Sequence, residues 1–220
     1  MPPADRTRGF LCECRKHWGQ ARGDPKIPPV SLTDADFGSK LAREPNDRAK
    51  ASETEHAIRA HIREHLDQDP VAYRKLSERL RDVLAKLGEQ WDELSKALQG
   101  LVDEIRAGHV VPDNRLPDLP EHYGPFLRLM VDTAAGDREI TDAERKLLVD
   151  LTVEVVDTIS AELVPNFWRP NRQPAQDALN TRIFELLMKS RLMLPTPQIE
   201  ALVDKLMELA RANHDRLMKA

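Results

Sequence analysis

The sequence predicts an all-α protein: an elongated helical bundle with one long helix over about 70–107 and a C-terminal group of three packed helices. Three observations carry that expectation. Apolar residues recur at three- and four-residue steps over most of the chain. No stretch of strand length alternates apolar and polar with period two. Charged residues make up 32% of the 220 and aromatics only 5%, the balance of amphipathic helices rather than sheets.

The formal net charge of −4 gives no overall electrostatic footprint for nucleic acid. Beneath it lies an asymmetry. Residues 1–29 hold six basic groups (Arg6, Arg8, Arg15, Lys16, Arg22, Lys26) against three acidic ones (Asp5, Glu13, Asp24), so the remainder is the acidic part. No apolar run approaches a membrane span, and no signal peptide is visible. A soluble cytoplasmic protein is expected, divided into a disordered or loosely packed basic arm (1–29) and a helical domain (30–220).

The arm shows neither helical nor strand period and is punctuated by Gly9, Gly19, Gly23 and five prolines. Its Cys12, Cys14 and His17 offer three soft ligands, but structural zinc wants four, and no second knuckle follows. No metal site is expected there. Next, Thr33-Asp34-Ala35-Asp36 reads as the start of a short helix stopped by Pro45. Ser52 and Glu55 stand at capping-box spacing before Ala57, Ile58, Ile62 and Leu66, a single helix face. Asp69-Pro70 opens the following helix, with Asp69 as cap and Pro70 at the first position.

Tyr73, Leu76, Leu80, Val83, Leu87, Trp91, Leu94, Leu98, Leu101 and Ile105 continue at helical steps. An unbroken helix over them would be about 55 Å long at 1.5 Å per residue, which is why the bundle is expected to be elongated. Gly88 and Gly100 weaken it, each by about 1 kcal/mol relative to Ala, and mark candidate bends. Gly108 ends it, and prolines punctuate 109–120. A short helix follows around Phe126, Leu127 and Met130, then a turn at Ala134–Asp137.

Thr141 and Glu144 form a second capping box. Its helix carries Leu147, Leu148, Leu151, Val155, Ile159 and Leu163 into the corner Phe167-Trp168-Arg169-Pro170. Ala175, Leu179, Ile183 and Leu187 leave that corner at the same spacing, in a helix begun by Pro174 and closed by Pro195. Thr196-Pro197 caps a last helix with Leu202, Leu206 and Leu209 inward. A Trp at such a corner buries a large area and usually needs an acceptor for its indole N–H. Its plainest role is to bolt two helices together.

Several catalytic patterns are approached and missed. His61-Ile62-Arg63-Glu64-His65 fits H-x-x-E-H, and two His at i and i+4 share a helix face. A third ligand is wanting, and an exposed charged face of an amphipathic helix accounts for both histidines. Asp118 followed by Glu144-Arg145-Lys146 imitates a nuclease carboxylate plus E-x-K, yet Glu144 is the capping acid and Lys146 faces another way. The Asp137-Arg138-Glu139 stretch lacks the alternating ligands and central Gly of a calcium loop. No Gly is followed by Lys, so there is no phosphate-binding P-loop. No catalytic, cofactor-binding or metal residue is therefore assigned.

Three groups of residues carry a family likeness. The first is SETEHAIRAHIREHL (Ser52–Leu66) with DPVAY (Asp69–Tyr73). The second is SERLRDVL (Ser77–Leu84), running on to Trp91–Leu94 and VDEIRAG (Val102–Gly108). The third is the Phe167-Trp168 corner with its spaced Leu179, Ile183 and Leu187. Together they resemble the C-terminal helical domain of the R (restriction and translocation) subunit of type I restriction-modification enzymes, over roughly residues 30–215.

The resemblance implies a non-catalytic docking module that joins a DNA translocase and endonuclease to the modification and specificity subunits. The complete family subunit is an ATP-dependent deoxyribonuclease using ATP and Mg. Its nuclease and helicase motifs are missing here, so a truncated subunit or a separately encoded tail is expected. Phe167, Trp168, Leu179, Ile183 and Leu187 are the expected partner-docking anchors, rimmed by Arg169 and Arg172. The alternative is a helical protein contacting nucleic acid through the basic faces around Arg169, Arg172, Arg182, Lys189 and Arg191.

Overall fold

Nine α-helices and two short 3-10 turns build the described part of a computed structural model, and no strand occurs among the described residues. Those residues are 31–32, 34, 36–108, 119–136, 138–192 and 194–219. The arm with Cys12, Cys14 and His17 lies outside them, as do Asp118, Asp137 and most of the proline-punctuated connection. Ser31–Ala220 belong to one compact unit. In order, the helices are α1 (Phe37–Leu41), α2 (Asp47–His65), α3 (Pro70–Leu87) and α4 (Trp91–Arg106), then α5 (Gly124–Ala135), α6 (Asp142–Glu162), α7 (Gln173–Lys189), α8 (Thr196–Ala212) and α9 (His214–Leu217). No helix among the described residues is long and apolar enough to cross a membrane.

The expected long helix is two helices. α3 stops at Leu87, and Gly88 adopts φ 50°, ψ −115°, closing the end through its N–H to the Leu84 carbonyl. Only glycine enters that backbone region cheaply, so the chain reverses there. Trp91 then starts α4, which packs back along α3 and, more extensively, along α2. The periodic stripe from Tyr73 to Ile105 is real, but it lines two antiparallel helices rather than one rod. With the rod goes the physical basis for an elongated bundle. Gly100 makes no break: it sits inside α4, with no atom near the place of a missing Cβ.

Arg48, at the start of α2, stacks on Trp91, at the start of α4, at 5.2 Å, so these two helices run parallel. Ile58 and Ile62 form the buried stripe of α2. Leu76 and Leu80 of α3 and Leu94, Leu98, Leu101 and Val102 of α4 complete the buried interior of this first group. At the far end of α4, Arg106 donates to the Leu32 and Asp34 carbonyls at 2.9 and 3.2 Å and stacks on Phe37. These contacts tie the start of the described chain and α1 to the bundle.

α5 to α8 form the second group around a larger core, in which Phe126, Met130, Val156, Ile159, Ile183, Leu202 and Leu206 are all but inaccessible. The expected C-terminal trio is present as α6, α7 and α8, with α5 packed on α6 and α8. Two expected caps form. Thr141 accepts from the Glu144 N–H while Glu144 accepts from the Thr141 N–H, and Asp69 accepts from the Ala72 N–H with Pro70 at the first helical position. Two others differ. α2 starts at Asp47 and is capped by Asn46, directly after Pro45, which places Ser52 inside the helix. Thr196 is likewise the first residue of α8, not its cap.

The same substitution at the two glycines has opposite expected signs. Gly88→Ala costs about 1–3 kcal/mol because the strained backbone persists, whereas Gly100→Ala stabilises by about 1 kcal/mol. Urea denaturation of both variants measures this.

Candidate functional site

Two places gather chemistry-bearing side chains: the corner between α6 and α7, and a cleft where the two helical groups meet.

At the corner, α6 ends at Glu162 and Asn166 takes a left-handed conformation (φ 66°), turning the chain. Gln176, one turn into α7, donates to the carbonyls of Phe167 and Arg169 at 2.9 and 3.1 Å and holds the turn closed. The Phe167 and Trp168 rings meet edge to face at 4.9 Å. Phe167, Leu179, Ile183 and Leu187 are at most 2% exposed. The face they share is covered by the chain's own α6 and α8, so these four are not open to a partner as direct anchors. Trp168 is half-buried, while Arg169 and Arg172 are exposed. The Trp168 indole N–H is buried and has no acceptor among the described residues. Of the five basic residues expected to form a positive face, Arg182 pairs with Glu162 and Lys189 with Glu185.

The cleft, about 360 Å³ in volume, is lined on one side by His61, His65, Asp69 and Tyr73 and on the other by Arg128 and Arg216. Sequence reasoning missed it, and placed His61 and His65 on an exposed face. His61 is only 7% exposed, and His65 is half-buried. The reason is the start of α3: Tyr73 packs against both imidazoles, whose centroids lie 4.2 Å apart. The His65 Nδ1–H donates to the His61 carbonyl at 3.0 Å, and the Tyr73 hydroxyl lies 3.4 Å from His61 Nε2.

Burial lowers the His61 pKa to about 4, with neighbouring His65 acting the same way and Glu64 opposing. Burial also raises that of Tyr73, helped by the Asp69 charge. Both groups are therefore neutral near pH 7. Among the described residues no cluster of three or more His, Cys, Asp or Glu could hold a metal ion. His61 and His65 are engaged with each other and with Tyr73, an arrangement that packs a helix corner.

Asp69 is the most constrained acid of the cleft. One carboxylate oxygen accepts the Ala72 N–H at 3.0 Å, and the other accepts Arg128 Nε at 2.8 Å and its Nη2. Arg74 pairs with Asp132 alongside, and the Asn213 side-chain amide donates to the Gln68 carbonyl at 2.9 Å. The first group is thereby tied to α5 and to the turn before α9.

Comparison with protein families, with characterised proteins and with solved structures returns no match.

The histidine pair predicts a pH dependence. The folded-state pKa of His61 lies below its unfolded value, so the unfolded chain binds more protons between pH 6.5 and about 4. Stability therefore falls as pH drops through that window, with a slope of at most about 1.4 kcal/mol per unit. Denaturation of wild type and His61→Leu across pH 4–7 measures it; the variant is expected to have a shallower slope there.

Proposed function

We propose that this chain is a fragment or tail of the type I restriction R-subunit kind, a helical docking module without catalysis of its own. The observation that carries the reading is the run Ser52–Leu66 followed by Asp69–Tyr73. The residues in which the resemblance is densest are those that build the α2–α3 corner, with its capped helix start and its His61–Tyr73 packing. In this reading the chain joins a DNA translocase and endonuclease, powered by ATP and Mg in the complete subunit, to the modification and specificity subunits in the cytoplasm. It meets DNA only indirectly or weakly.

The docking patch is narrower than the sequence suggested. Arg169 and Arg172, with the exposed edge of Trp168, form it, and Phe167, Leu179, Ile183 and Leu187 support it from within. Charge at the edge of an interface steers and orients a partner. Reversing both charges, Arg169→Glu with Arg172→Glu, is expected to lower retention by a cognate modification subunit at least tenfold, with helicity unchanged. Full retention would remove the patch from the account. Failure of the wild-type chain to be retained at all would remove the reading itself.

A second reading keeps some support, because Arg169, Arg172 and Arg191 are exposed and form no ion pair among the described residues. These three could contact phosphates. Absence of DNA binding at low salt would eliminate that reading, since phosphate contacts are strongest there.

A further inference from the structure

We propose that the α3–α5 contact is a joint within the compact unit, at which the two helical groups shift relative to one another and open and close the cleft beside it. The inference is independent of the docking reading. It rests on how unevenly the contacts are distributed. Each group has its own buried interior, and α3 against α5 is the main helix contact between them. Val71 is the residue of the first group that enters the larger core.

The remaining ties are polar and local. Asp69–Arg128, Arg74–Asp132 and Gln68–Asn213 all start from residues 68–74, within two helical turns. Polar ties can exchange for water, whereas pulling a core residue out of either group leaves a cavity. Loss of contact at this one spot therefore withdraws Val71 from the larger core and leaves the rest of both interiors in place. Such partial opening belongs to the low-stability end of a structure.

Hydrogen exchange of the full chain in graded denaturant tests the joint. The slowest amides of α4 are expected to exchange at least tenfold faster than those of α8, since the first group has the smaller core. Equal rates that rise together would overturn the proposal. A second measurement uses spin labels at Glu89→Cys and Glu208→Cys, with Cys12 and Cys14 replaced by Ser. Arg74→Ala with Arg128→Ala is expected to broaden that distance distribution and to leave a pair within the second group, Glu139→Cys and Glu208→Cys, unchanged. No broadening, or equal broadening of both pairs, would contradict it.

Discussion

Asp69 holds two parts of the fold with one carboxylate. It caps α3 through the Ala72 N–H, and it receives the Arg128 guanidinium from α5. With side chains 9% and 19% exposed, the two ions have left most of their water. A pair in that position need not add much stability over an apolar substitute, but removing one partner strands the other at a cost of about 3–5 kcal/mol. Geometry explains why the position matters. Pro70 presets the first turn of α3, Asp69 fixes its direction, and Tyr73 then falls on His61 and His65.

The corner at Phe167 works differently. It depends on apolar burial, with Gln176 and the left-handed Asn166 shaping the turn. The face of α7 that looked ready for a partner is spent on α6 and α8. Arg169, Arg172, Gln173 and Asp177 face outward there, beside the exposed Val164.

Much of the fold was legible because helix signals are local. Thr141 with Glu144, and Asp69 with Pro70, lie within four residues of what they cap. The apolar stripes also name most of the core, from Leu76 to Leu206, although Val83, Leu87, Trp91 and Leu147 are only partly buried and Ala175 is exposed. Three things were hidden. Gly88 and Gly100 look alike in sequence, and only the surrounding backbone makes one a reversal and the other an ordinary helix position. His61 and His65 read as exposed because their cover, Tyr73, comes from the next helix. Leu179, Ile183 and Leu187 show a buried face without saying whether this chain or another covers it. Periodicity reports that a face is apolar, and tertiary contacts decide what fills it.

The central claim is that Asp69 and Arg128 act as one unit joining the two helical groups. A double-mutant cycle with Asp69→Asn and Arg128→Met, followed by urea denaturation, tests it most directly. The Asp69→Asn change keeps a side-chain oxygen able to cap α3, so the cycle isolates the cross-group interaction. The account predicts a coupling energy of about 1–3 kcal/mol between the two positions. Effects that add to within about 0.5 kcal/mol would contradict it.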